Sequence, residues 1–395
     1  MALSATAADA GIIIPAGDWT VDINGNVNSF YTRTKFSGNQ ANPDAIEGHD
    51  DTAHQVQTGL LPSALGIGAK TRQNDVDVAF QISLWTGSNA NGADNLNVGN
   101  FGTNGGLGYS SLNVRQSYLT FGDKSWGSFK LGRDLGVFGS DAILSDMTLL
   151  GVGSFAGGSG SSTLGRIGSG YLYADWKAQI AYTTPNFNGF EATGALTEAT
   201  GQQDNSNLGV EAKASYSFAA NDVNGKVWVG GLHKKIQTRA TAATDSADAT
   251  GAISERDAEA WEIGAKAGTG GFELLGYYYD GKNHDAGIGQ AINTGLGGIS
   301  TSDAQTDNKG GYVQGTYVLP TKTKLGVSWG RSQIEKAGYS NTEREASIVG
   351  LYHPLTKYLN LVAECNHLDV EAGQEGAAAT KGKAKTMSLG AILFF

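Results

Sequence analysis

The sequence contains one cysteine, Cys365, in 395 residues, which excludes an intramolecular disulfide and any metal site built from several thiolates. Proline is scarce, with 6, so no stretch reads as a Pro-rich spacer. Positive charge is in deficit: 28 Lys and Arg against 38 Asp and Glu leave a formal net charge of -10. That balance argues against a nucleic-acid partner held by an overall basic surface. No run approaches the roughly 18 consecutive apolar residues of a spanning helix, so a helical membrane protein is excluded, while membrane-crossing strands are not. Glycine is in excess, with 58 residues, about twice the usual share, and it follows no Gly-X-Y period. Such a content suits strands and turns better than helices.

Residues 1–10 hold Ala5-Thr6-Ala7 and Ala8-Asp9-Ala10, the small-x-small form of a signal-peptidase site, without the basic and apolar regions that precede one. They read as a residual export-signal tail or a flexible terminus. Residues 11–395 read as a single domain.

Between 18 and 35, Trp19, Val21, Ile23, Gly25, Val27 and Tyr31 alternate with Asp22, Asn24, Asn26, Asn28 and Thr32. This is a period of two, with one apolar and one polar face. Near the end, Met387, Leu389, Ala391, Leu393 and Phe395 oppose Thr386, Ser388 and Gly390. Sixteen such runs are predicted, roughly at 18–36, 62–72, 76–86, 113–122, 127–135, 176–184, 189–198, 207–219, 225–238, 257–268, 270–283, 308–319, 322–335, 342–354, 357–371 and 383–395. Short turns at 73–75, 123–126, 185–188, 320–321 and 355–356 alternate with generally longer polar loops at 37–61, 87–112, 135–175, 240–256 and 284–307. Ten residues at about 3.4 Å each, tilted roughly 40°, rise about 26 Å, close to the apolar band of an outer-membrane barrel.

The predicted fold class is therefore all-β: a 16-stranded antiparallel up-and-down transmembrane β-barrel around an aqueous lumen. A soluble two-sheet protein would also alternate, but it gives no reason for sixteen runs with short and long connections in turn.

Arg115-Gln116-Ser117-Tyr118-Leu119-Thr120-Phe121-Gly122, followed by Trp126-Gly127-Ser128-Phe129-Lys130-Leu131-Gly132-Arg133, resembles the fourth and fifth strands of the trimeric general porins of Gram-negative outer membranes. Phe395 on an alternating strand resembles the C-terminal signature of outer-membrane barrels. The resemblance implies a homotrimer in the Gram-negative outer membrane, among outer-membrane lipid and lipopolysaccharide, forming a water-filled channel for passive diffusion of small hydrophilic solutes. It also implies an inward-folded third external loop whose acidic residues face a ladder of wall arginines.

Residues 135–175 are the candidate for that loop. Their centre, 147–164, carries no charge and is rich in glycine and serine, Ser154 and Ser159 among them. Asp141 and Asp146 resemble acidic positions earlier in the family's loop. Arg115 and Arg166 fall where two wall arginines lie, whereas Ala64 and Asn26 stand where the family has a third arginine and a lysine. Arg133, at the top of the fifth strand, reads first as a loop anchor. Because the loop has lost more charge than the wall, the resemblance implies a net positive constriction and a preference for anions such as small organic, including aromatic, carboxylates. Neutralising Arg115 and Arg166 together is then expected to move selectivity toward cations. By strand periodicity Lys213 and Lys266 face the lumen, with Glu211 and Glu262 on the same faces. Tyr277, Tyr279 and Tyr312 also read as inward, where rings could stack with ring-bearing solutes, although for any one tyrosine a place in the membrane-interface girdle is the preferred reading.

Other chemistry has little support. The histidines are scattered, with His49 and His54 together in a polar loop, and neither a Walker lysine motif nor a Gly-x-Ser-x-Gly elbow is present. No catalytic residue, metal ligand or cofactor is expected. Two alternatives remain beside the channel: an outer-membrane barrel enzyme such as a lipase or protease, and an adhesin or receptor acting through its long loops.

Overall fold

The computed structural model describes residues 11–38, 52–87, 112–154, 162–198, 207–241, 250–283, 306–374 and 376–395. The described strands are β1 (Ile12–Ala16), β2 (Trp19–Gly38), β3 (Thr52–Gln57), β4 (Ser63–Gln73), β5 (Val76–Thr86), β6 (Asn113–Asp123), β7 (Gly127–Leu135), β8 (Trp176–Thr183) and β9 (Phe190–Thr197). They continue with β10 (Gly209–Ala220), β11 (Val223–Thr241), β12 (Thr250–Thr269), β13 (Phe272–Lys282), β14 (Thr306–Val318), β15 (Lys324–Lys336), β16 (Thr342–Pro354), β17 (Leu359–Gln374) and β18 (Ala377–Phe394).

The described strands pair antiparallel throughout, and the ring closes where β18 pairs β2, with Leu389 opposite Tyr31. The barrel has sixteen staves, because β3 and β4 pair successive stretches of β2 and together make the second one. All sixteen predicted runs are strands. Two segments were not read as such: β1, which folds back on the start of β2, and β3, which lies inside the stretch 37–61 expected to be a loop. β3 escaped notice because Thr52-Ala53-His54-Gln55-Val56-Gln57 carries only one large apolar residue. His54 accordingly stands on a strand and hydrogen-bonds Tyr31 at 2.7 Å.

The break between β3 and β4 is made good by side chains of β2. Asn28 Nδ2 donates to the Leu61 carbonyl at 2.9 Å and Asn26 Nδ2 to that of Pro62 at 3.3 Å, while Asn28 Oδ1 accepts from Gly59 N at 2.9 Å. Backbone groups freed by an interrupted ladder thus find partners, as buried ones must.

Alternation sorts the wall into two faces. Val27, Leu389 and Met387 are 57%, 62% and 58% exposed, while their neighbours Asn28 and Ser388 are buried, so the apolar row faces outward. Near the short turns this outer face carries aromatic contacts, Phe121 with Phe129 at 5.4 Å and Phe129 with Tyr182 at 5.0 Å, as in a membrane-interface girdle. The inner face is less polar than alternation suggests. Phe30, Trp85, Trp228, Tyr279, Tyr312, Ile348 and Tyr352 are buried on it, in one cluster with Phe138, Met147, Leu150, Leu164 and Ile167 of the stretch between β7 and β8.

Candidate functional site

The stretch between β7 and β8 begins with a short helix, α1 (Ser140–Ser145), followed by a 3-10 turn at Met147–Leu150. Asp146 joins the two: its Oδ1 accepts from Thr148 N at 2.9 Å and its Oδ2 from the Tyr171 hydroxyl at 2.8 Å. This side chain therefore caps the turn and fastens the returning half of the stretch.

Inner-face side chains of many strands bond to this stretch. From β10, Glu211 Oε2 accepts from Val137 N and Phe138 N at 2.8 and 2.9 Å. From β12, Glu262 Oε2 accepts from Gly139 N at 3.0 Å and from the Tyr277 hydroxyl at 2.8 Å. Tyr312 on β14 donates to the Ala142 carbonyl at 2.7 Å, and Gln314 bonds Met147 N and the Ser145 carbonyl at 2.8 and 2.9 Å. Ser332 on β15 accepts from Gly170 N at 3.0 Å. On β17, Glu364 Oε2 accepts from Val152 N and Gly153 N at 2.8 and 2.7 Å, and its Oε1 from the Tyr352 hydroxyl at 2.7 Å. At the break between β3 and β4, Leu60 N donates to the Gly151 carbonyl at 2.9 Å. At Gly151 a Cβ would stand 2.1 Å from Glu364 Oε1, so a side chain there would push the carboxylate from its backbone donors.

A second constellation is electrostatic. Lys213, Lys226 and Lys266 project inward from β10, β11 and β12, and Lys226 pairs directly with Lys266 across the strands. Opposed like charges destabilise a strand pair. Asp141 at the start of α1 offsets this, bonding Lys213 at 2.7 Å and Lys226 as well. Burial pushes the Asp141 carboxyl up, but Lys213 and Lys226 outweigh it and hold the group below its ordinary value. Glu211 does not cancel Lys213; it pairs with Lys177 of β8 and with the two backbone donors named above. Glu262 is likewise occupied by Gly139 and Tyr277.

The arginines stand elsewhere. Arg115 is the extra residue of a bulge in β6, where Gln116 pairs Ser83 and Val114 pairs Leu84. Bulges re-aim side chains, and Arg115 lies 4% exposed with its guanidinium over the rings of Trp85 and Trp176 at 5.1 and 5.9 Å. Arg166 is 0% exposed, donates to the carbonyls of Ser169 and Ala346 at 3.4 and 3.2 Å, and sits 5.9 Å from the Tyr312 ring. Arg133 pairs Ser117 and Ala178 on the outward row and meets Glu198 at 3.5 Å, so it anchors the rim instead of lining the inner wall.

Ser154 is fully buried and accepts from Asn366 Nδ2 at 3.3 Å. Ser159 lies outside the described residues. Tyr277 faces inward as expected, yet its ring is buried beside Trp228 and Tyr312, at 6.4 and 5.7 Å, leaving no open face for a solute. Sequence reasoning missed Lys226, Gln314 and Glu364. Lys226 was recoverable from the inward parity it shares with Trp228 on β11, whereas Glu364 and Gln314 gave no signal beyond an inward polar position. Among the described residues, no group of three or more His, Cys, Asp or Glu side chains could hold a metal ion.

A family model described as Gram-negative porin matches residues 1–373. Solved structures share the architecture. The outer-membrane expressed OmpT of Vibrio cholerae aligns with TM-score 0.61 at 16% identity, covering 97% of this chain and 100% of that one. A trimer form of in-vitro folded OmpT from Vibrio cholerae aligns with TM-score 0.58 at 15% identity, over 95% and 99%. An anion-selective porin from Comamonas acidovorans aligns with TM-score 0.59 at 15% identity, over 95% and 100%. A search of curated proteins gives no significant match.

Proposed function

The chain belongs to the Gram-negative porin family and is an outer-membrane channel, and from that premise we propose a homotrimeric pore that favours small anions, organic carboxylates included. In this reading the stretch 135–175 supplies an inward-folded constriction, a role supported by hydrogen bonds from its described residues, 136–154 and 162–175, to inner-face side chains of β10, β12, β14, β15 and β17. Family membership favours a channel over a barrel hydrolase. The trimer reading draws on the family resemblance, and a relative with the same architecture is described as a trimer form. Outer-membrane lipid and lipopolysaccharide are then the surroundings of the apolar outer face.

The observation that carries the anion preference is the inner wall of β10 to β12. The side chains of Lys213 and Lys226 keep 18% and 25% of their surface exposed, and Lys266 is half-buried. The carboxylates of the same wall, Glu211 and Glu262, are 0% and 1% exposed and held by donors from the 136–175 stretch. A passing ion therefore meets ammonium groups while the acids lie behind them, and charge at the narrowest point sets ion preference. The buried ring of Tyr277 favours small aliphatic carboxylates over aromatic ones.

The test is the reversal potential of the purified protein in a planar bilayer under a KCl gradient. Chloride preference is expected. Cation preference would sink the electrostatic reading, and absence of conductance would sink the channel.

A further inference from the structure

The inner face of β14 to β16 carries an arginine that the lysine wall does not explain. Arg344, on β16, is 4% exposed. It makes no ion pair among the described residues, and its Nε is buried with no hydrogen-bond partner. On its own wall it stands between Ser332 of β15 and Val370 of β17, with Ile334 and Leu368 on the flanking inner rows. None of these is acidic. A guanidinium stays charged at any working pH, and a buried, unpaired charge is costly enough that such groups are normally compensated.

A second guanidinium reaches the same place from the 136–175 stretch. Arg166 Nη1 is held by the Ala346 carbonyl at 3.2 Å, and Ala346 is the next inward position after Arg344, about 7 Å along the strand. The Nε and Nη2 of Arg166 are also buried without partners. Asn308, on β14, adds a further unpartnered donor in its Nδ2; it pairs Ile334, one inward row above Ser332. Donors thus accumulate here without an acceptor, the reverse of the β10 to β12 wall, where Asp141 answers the lysines.

We propose that Arg344, with Arg166 behind it, forms an oxyanion-binding site on the inner wall that takes the carboxylate of a small organic acid. A carboxylate suits the site because its two oxygens match the fork of a guanidinium, and its charge offsets that of Arg344, which no described acid answers, whereas Arg166 already lies in the field of Asp146. The proposal deepens the anion-channel reading, on which it rests only for the ligand's route in. The site lies on β16, four to six strands round the wall from the solvent-reached lysines of β10 to β12.

Calorimetric titration of the detergent-solubilised full-length protein with succinate, in low-chloride buffer, tests this. One succinate per chain is expected, with affinity weakened about tenfold or more in Arg344→Gln, the range for losing a charge-assisted bond. Lys309→Gln, on the outward row of β14 and paired with Glu335, is expected to bind succinate as the parent does. Should Arg344→Gln fail to assemble, Arg344→Lys keeps the charge but loses the fork and is expected to weaken binding several-fold. Unchanged succinate affinity in the Arg344 variants, or no binding by the parent, overturns the site. Bilayer recordings on the same preparations separate the two readings: Arg344-dependent binding in a channel without chloride preference would leave the site standing and remove only the selectivity argument.

Discussion

The inner wall of β10 to β12 and the arginines at Arg115 and Arg166 are both positively charged, and they differ in what that charge can reach. Lys213, Lys226 and Lys266 are on adjacent strands with their side chains partly in solvent. Arg115 lies against two neighbouring indoles and Arg166 is fully buried against backbone carbonyls. A charge with solvent access acts on a passing ion, while one embedded in rings and carbonyls acts on the packing around it. Residue type marked the arginines as the filter; on the proposed reading the solvent-reached lysines filter, and Arg115 acts on the packing around it.

The largest expected effect comes from removing the first region. Replacing Lys213, Lys226 and Lys266 together with glutamine should lower the chloride-to-potassium permeability ratio several-fold, measured as reversal potential. Replacing Arg115 and Arg166 with glutamine should leave that ratio nearly unchanged and reduce resistance to heat instead, since a buried cation–π contact contributes on the order of 1–2 kcal/mol. If the arginine pair shifts selectivity and the lysines do not, the contrast between the regions is reversed.

A smaller change is expected from loosening the stretch that both regions contact. Glu364→Leu would leave Val152 N, Gly153 N and the Tyr352 hydroxyl without their acceptor, at about 1–3 kcal/mol for each group that stays buried. Single-channel conductance should rise and become noisier, with selectivity falling as the passage widens and wall charge acts from farther away. Gly151→Ala should act in the same direction, because its methyl would collide with the same carboxylate. Conductance indistinguishable from the parent in both variants would mean that the 136–175 stretch does not limit the pore.

How much of this was legible follows from what a period of two can and cannot encode. Alternation located every stave and set the inward parity of Lys213, Lys266, Tyr277 and Tyr312, because one residue of slip would move every apolar side chain to the wrong face. It could not show β3, where polar residues occupy both faces, nor α1, which is too short to display a helical repeat. Nor could it show how the 136–175 stretch is fastened. Glu211, Glu262 and Glu364 are far from it in sequence, and what they bind is backbone N–H, which every non-proline residue offers. The bulge at Arg115 was equally hidden: the run 113–122 reads as regular, and only the pairing with Ser83 and Leu84 exposes the extra residue.

The smallest expected effect concerns Asp141, the carboxylate shared by Lys213 and Lys226. Its folded value is depressed, so its charge, and the stability that charge contributes, is present above the ordinary aspartate range near about 3.9 and is lost only as pH falls through the lower folded value. Asp141 itself should therefore contribute no step in chloride preference between about pH 5 and 8. In stronger acid, protonation of Asp141 adds one net positive charge to the wall, and preference for chloride should rise. Asp141→Asn should reproduce that rise modestly at neutral pH and remove the acid-induced step. A selectivity that titrates near neutrality, unchanged in Asp141→Asn, would place control in a titratable group other than Asp141.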